Sequence, residues 1–410
     1  MHADSSPNRP KRYSLFCGID IAKDNHVACV MDRDGTQLVR SQSFANNAEG
    51  YRQILERLGQ IGGPRRILVG MEATGHYWFS LHDFLVDHRY EVAVLNPIQT
   101  HQQAKKGIRK TQTDKIDARH IATLIKNGEH KPALIPTEFG RTCRQLTRLH
   151  HHMVRQETRI KQLLWAFIHP TWPEYEGLFA HAFCGTGRTL LRTAPTPSDV
   201  RAMSPETLEP LIRKASHGRC AGRKAQEIRQ AAENTVGTHR ALEAARIGIR
   251  CLLDQLDVLE PVRESLEKQI ETLTERLPRY LFTLPGAGPV SVVSLFGETD
   301  PITAFAAPSK LVAFAGLDVV VSQSGPLPKD PPRRHISKTG SPALRYTLWK
   351  MARLACCQEG DLQDYYRRRR AAGLGHLATV TAAAIKLCHI AWRIMIDQRD
   401  YQPQRPTTQP

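Results

Sequence analysis

SLFCGIDIAKDNHVACVMDRDGTQLVRSQSF, residues 14–44, contains three apolar runs separated by polar turns. SLFCGID closes on Asp20, HVACVMD follows, and the Asp34-Gly35 turn leads into QLVRSQSF, so the stretch predicts three antiparallel strands joined by tight turns. Working outward, residues 47–60 put Tyr51, Ile54, Leu55 and Leu58 on one helical face. RILVGM (66–71) is a short apolar strand that delivers Glu72. A helix near 77–87, a strand over 90–96 and a helix from Thr113 to Lys126 complete a mixed α/β domain over 13–135.

Beyond it the sequence turns helical. Residues 141–168 and 223–278 predict long helices, and in the second Leu252, Leu259, Leu266 and Leu273 recur every seven residues. That seam predicts a coiled-coil-like stalk that pairs with another copy; the competing reading is two helices packed on each other within one chain. Residues 170–222, rich in Pro, Gly and Thr, predict an irregular junction inside the helical region 141–278. A mainly α domain follows over 279–398. Its opening LFTLPGAGPVSVVSLFGE (281–298) resembles a helix-hairpin-helix, and a polar loop is expected from 318 to 341. Residues 1–12 and 402–410 are expected to be disordered tails.

With 410 residues the chain exceeds one ordinary core. Its formal charge of +17 and pI near 9.7 favour a polyanionic partner. Nine cysteines without a C-x-x-C pair argue against a structural zinc site and for a reducing, cytoplasmic setting. The first residues have no apolar core, so no secretory signal is expected, nor is a membrane partner.

The candidate chemistry lies in four acids. Asp20 and Glu72 end strands, and Asp114 and Asp117 stand three apart on one helix, sharing a face. Carboxylates gathered in this way repel one another unless hard cations sit among them, and paired divalent ions suit phosphodiester chemistry. Taken singly, each acid reads equally as a turn residue, a cap or a first-turn acid favoured by the helix dipole. Lys105, Lys106, Arg109 and Lys110 precede the acid-bearing helix, Arg119 lies one turn beyond, and Lys338 and Arg345 occur later; as groups they suit nucleic acid. Arg367 to Arg370 follow Tyr365 and Tyr366, a run able to pair with phosphates and stack on bases, or simply an exposed helix face.

GIDIAKDNH, GMEATGHYW and LNPIQTHQQAKKGIRKTQTDKIDARHIA resemble the DEDD transposases of the insertion-sequence one-ten family, as do LFTLPGAGPVSVVSLFGETD, LVAFAGLDVVVSQSG and HISKTGSPALRYTLW. The resemblance implies a ribonuclease-H-like (RuvC-like) N-terminal domain with Asp20, Glu72, Asp114 and Asp117 as ligands of Mg2+ or Mn2+. It implies a nucleophilic serine in the C-terminal domain, Ser324, with Ser322 its nearest competitor. It further implies DNA transposition guided by a noncoding bridge RNA, in a homo-oligomeric dimer or tetramer. A hydrolytic RuvC-like nuclease, a site-specific DNA invertase and a non-catalytic nucleic-acid-binding protein are the alternatives.

Overall fold

The computed structural model describes residues 12–73, 75–95, 114–129, 134–218, 221–322 and 333–403, and the chain divides into two compact units, 1–135 and 136–410.

In the first unit, strands β1 (Leu15–Asp20), β2 (Asn25–Asp32) and β3 (Gln37–Ala45) form the expected antiparallel meander. Helix α1 (Ala48–Ile61) starts at Asn47, whose side chain accepts from the Gly50 N–H. Strand β4 (Ile67–Glu72), helix α2 (Trp78–Asp87) and strand β5 (Glu91–Leu95) follow. The sheet order is β3-β2-β1-β4-β5, with β4 parallel to β1 and β5 parallel to β4. This mixed sheet is consistent with a ribonuclease-H-like fold.

Strand alternation divides the core between the two sheet faces. Cys17, Ile19, Val69 and Met71 point to the side where Ile54 and Leu58 of α1 and Leu81 and Leu85 of α2 pack. Phe16 and Leu68 point to the other side, against helix α3 (Asp114–Asn127) through Ala118, Ile121, Ala122 and Ile125. Two glycines let α3 come close. A Cβ on Gly18 would lie 2.1 Å from the Ala118 carbonyl oxygen and 2.4 Å from the Ala122 nitrogen, while one on Gly70 would lie 2.9 Å from Ile125.

The second unit is helical. Helix α4 (Glu138–Thr171) precedes α5 (Gly185–Thr193), α6 (Pro197–Ala202), α7 (Pro205–Ala215), α8 (Ala221–Glu233) and α9 (Leu242–Thr272). The region 170–222 is therefore not an irregular junction. Pro197 and Pro205 stand at the first positions of α6 and α7, where a missing N–H is harmless, and Thr196 closes a capping box with Asp199. The expected helix over 223–278 is broken between α8 and α9, where Ala241 takes φ 55°.

The leucine seam is largely covered inside this chain. Leu252, Leu253 and Leu256 of α9 pack with Ile160, Leu164 and Ile168 of α4, and Leu266 and Ile270 are also buried. Ion pairs continue the contact, with Arg263 of α9 donating to Glu157 of α4 at 3.0 Å. Val258 and Val262 stay exposed beside this pairing.

After two short 3-10 turns come α10 (Pro289–Thr299), α11 (Pro308–Phe314), strands β6 (Val319–Ser322) and β7 (Arg333–Ile336), α12 (Pro342–Ala355), α13 (Asp361–Ala371) and α14 (His376–Asp397). The expected polar loop thus contains an antiparallel strand pair, Val319 opposite Ile336. The hairpin-like segment enters α10 from a 3-10 turn, Arg279–Thr283, rather than from an α-helix. Gly286 there has φ 70° and lies against the Met351 carbonyl of α12, so close packing accounts for this glycine. Helix α14 is long and apolar enough to cross a membrane, but its buried face packs in this unit, with Val380, Ala384, Leu387 and Ala391 inaccessible.

Candidate active site

The four acids come to one end of one sheet face. Asp20 shares its strand face with Phe16 and Gly18, and Glu72 shares its own with Leu68 and Gly70; both faces meet α3. Because β1 and β4 are parallel and in register from Leu15↔Ile67 to Ile19↔Met71, their final residues are neighbours.

Helix α3 runs antiparallel to β1. Ala118 and Ala122 lie over Gly18, Thr123 reaches the Met31 sulfur, and Lys126 lies by Gly35 at the far hairpin. Its first turn, carrying Asp114 and Asp117, is therefore at the end where β1 and β4 finish. Asp20 lies two residues, about 7 Å, beyond Gly18, and Asp114 precedes Ala118 by one turn, about 6 Å. The glycines thus control how low the acid-bearing turn sits over the strand ends.

Asp20, Glu72 and Asp117 are half-buried, and each has a polar or charged contact. The side chain of Asp114 lies outside the described residues. Among the described side chains, no three His, Cys, Asp or Glu groups stand close enough together to hold a metal ion. The donor set nonetheless has the right chemistry for a hard cation, being all carboxylate and drawn from three adjacent elements.

Of the predicted basic residues, Arg119 and Lys338 are exposed. Arg345 is structural in part: it donates to the Ala315 carbonyl at 2.9 Å. Lys105, Lys106, Arg109 and Lys110 lie outside the described residues, as does Ser324. Ser322 is the last residue of β6, paired with Arg333.

The base of the β6–β7 pair is nevertheless described, and it is tied down. The Ser337 hydroxyl donates to the Asp318 carboxylate, the Ser337 N–H to the Asp318 carbonyl at 2.8 Å, and the Lys338 N–H to the Gly316 carbonyl at 3.1 Å. A little further on, Ser341 caps α12 by accepting from the Leu344 N–H and donates to Glu298 at 2.8 Å.

Glu298 is a residue that the sequence reading missed. Its side chain is fully buried, and Arg148 of α4 grips both oxygens at 2.6 and 3.0 Å. Arg144 donates to the Gly297 and Glu298 carbonyls. Burial pushes the Glu298 carboxyl up, but Arg148, Arg144 and the Ser341 hydroxyl outweigh it and hold the group below the ordinary glutamate value. An acid inside the apolar helix sequence PVSVVSLFGET was the available signal. Nearby, burial and the neighbouring His150 lower His151 to about 4.

Comparison with known proteins gives this geometry its context. Residues 17–173 match a DEDD-type family model described as a transposase, and residues 279–367 match one described as the transposase family of IS116, IS110 and IS902. The uncharacterized 44.8 kDa protein of insertion element IS116 from Streptomyces clavuligerus is 24% identical, over 96% of this chain and 98% of its own length. The mini-circle putative transposase for IS117 from Streptomyces coelicolor is 21% identical, over 89% and 90%. A pilin gene-inverting protein from Moraxella bovis is 32% identical over 36% of this chain and 47% of its own. The class is a DNA transposase, an enzyme whose substrate is DNA. The chain belongs to the IS110/IS116 transposase family.

Proposed function

We propose that the protein performs metal-dependent DNA strand cleavage and exchange, with Asp20, Glu72, Asp114 and Asp117 as the acid set and Ser324 as the nucleophile. The observation that carries this reading is that β1 and β4 end, at Asp20 and Glu72, at the same end of the sheet where the first turn of α3 begins. These carboxylates would hold Mg2+ or Mn2+, which when bound supplies positive charge for the phosphodiester oxygens. Membership of a DEDD-type family supports the same assignment.

The serine step conserves bond energy. The Ser324 oxygen forms a bond to phosphorus as the bond to the departing sugar oxygen breaks. The hydroxyl proton passes to a carboxylate or to water, and the departing oxygen takes up a proton. The resulting phosphoserine ester can be attacked by another strand's hydroxyl, so rejoining needs no external energy.

A bridge RNA that pairs with both donor and target DNA belongs to this proposal, as does a homo-oligomer, dimer or tetramer. The exposed Val258 and Val262 beside the α4–α9 pairing offer apolar surface for a second copy. The similarity to a pilin gene-inverting protein favours DNA inversion as the second reading, with the same residues acting.

The test is a recombination assay in cells supplied with the flanking element DNA, comparing wild type, Asp20→Ala and Ser324→Ala. Both variants should lose exchange, and Ser324→Ala should also lose the covalent protein–DNA product. Equal activity in all three rejects the assignment. Cleavage that survives in Ser324→Ala points to hydrolysis by water, and so to the nuclease alternative.

A further inference from the structure

Several arginines of the second unit have carboxylate partners: Arg148 pairs with Glu298, Arg188 with Glu260, Arg192 with Asp254, Arg246 with Asp199 and Arg263 with Glu157. Others, such as Arg144 and Arg345, donate to backbone carbonyls. Helix α13 is set apart by carrying four arginines in succession. Arg367, Arg368, Arg369 and Arg370 are all exposed, and among the described residues none has an ion-pair partner. Asp364, one turn before Arg367 and Arg368 and well placed to pair with either, is exposed and forms no ion pair among the described residues.

The helix dipole accounts for part of this. Cations are favoured in a last turn, and Arg370 donates to the Leu374 carbonyl just past the helix end at 2.6 Å. It does not account for four consecutive guanidinium groups. Arg367 and Arg370 are like charges three apart on a helix, an arrangement that destabilises it without a counterion. Lys386 of α14 adds another cation, with its ammonium 5.2 Å from the centre of the Tyr365 ring.

Tyr365 and Tyr366 tell what kind of polyanion fits. Arg369 stands 5.5 Å from the centre of the Tyr365 ring while donating to its hydroxyl at 3.2 Å, and the Tyr366 hydroxyl is hydrogen-bonded to the His376 ring at 2.8 Å. The Tyr365 ring braces two cations, the Tyr366 ring packs edge-on with His376, and both side chains are half-buried. A face of fixed charge without free aromatic faces suits the regular backbone of a duplex better than splayed single strands.

We propose that the last turns of α13, with Lys386, form a docking face for the phosphate backbone of duplex DNA, contacting it without regard to sequence. The proposal takes DNA as the substrate but does not depend on the acid set or on Ser324.

The test uses the full chain and a fluorescent duplex of arbitrary sequence, with affinity measured across a salt series. Each phosphate neutralised contributes roughly −0.9 to the slope of log affinity against log salt. The Arg367→Gln, Arg368→Gln double variant should make that slope shallower by about 2. Arg367→Lys with Arg368→Lys should restore most of it, and thermal unfolding should not move, because both side chains are exposed. Because the readout is duplex affinity rather than strand exchange, its failure leaves the proposed acid site and Ser324 untouched. An unchanged slope in the glutamine variant overturns the proposal. So does a loss confined to single-stranded RNA, or one confined to vesicles containing phosphatidylserine.

Discussion

The two units treat their acids differently. Glu298 in the second unit is sealed from water, and fixed groups meet both of its oxygens. In the first unit Asp20, Glu72 and Asp117 are half-buried at an open end of the sheet, where strands finish and a helix begins. Glu298, matched by arginine and serine, holds helices together. Burial alone does not mark an acid as functional. What separates these two cases is full enclosure of the carboxylate against half-burial where a strand ends or a helix begins.

The contrast can be broken or sharpened by substitution, and the largest effect is expected at the sheet end. Asp117→Asn should reduce strand exchange by roughly a thousandfold, the scale on which removal of one electrostatic partner acts in other enzymes. Its thermal unfolding should stay close to wild type. A large fall in melting temperature would place Asp117 with Glu298 as a structural acid.

Next is Arg148→Ala, which strands a buried carboxylate and should cost about 3 kcal/mol in urea unfolding. Glu298→Gln should cost less, about 1–2 kcal/mol, since the Arg148 side chain is 52% exposed and can turn to water. The reverse order would mean that the arginine, not the acid, is the buried partner that matters.

Gly18→Ala should weaken the first unit by about 2 kcal/mol through overpacking against the α3 backbone. Gly70→Ala should be milder, because it meets the flexible end of Ile125. Strand-exchange activity should follow the same order. The smallest effect concerns pH. The Glu298 carboxyl is lowered in the folded state, so its contribution is present above the unfolded glutamate value and is lost as pH falls through the lowered folded value. Below pH 4.5, wild type should therefore lose more unfolding free energy than Glu298→Gln.

Much of the first unit was legible because its central strands are short apolar runs bounded by turn residues. LFCGID, HVACVMD and ILVGME are buried along nearly their whole length, since both sheet faces are covered, and Asp20 and Glu72 could be read as the ends of two of these runs. The second unit was harder to read for physical reasons. Helix α13 has a single buried apolar residue, Leu362, so it shows no hydrophobic stripe. Strand β7, RRHI, has no apolar alternation to announce it. The prolines and threonines of 196–205 read as loop signals although they begin helices. The seam on α9 was visible, but a pattern of leucines says that a partner exists without naming it, and α4 supplies much of that partner. Glu298 escaped notice because Arg148, its ion-pair partner, lies 150 positions away on α4.

Gly18 and Gly70 have a consequence for how such a centre can vary. A helix is a stiff rod, so whatever supports its middle also sets the height of its tip. Here the support is the absence of two side chains under α3, at Gly18 and Gly70. Volume added at that floor would raise the tip without touching any carboxylate, and volume removed from Ile121 or Ile125 would lower it. The height of the acid-bearing turn is adjustable from beneath the helix by residues that carry no charge.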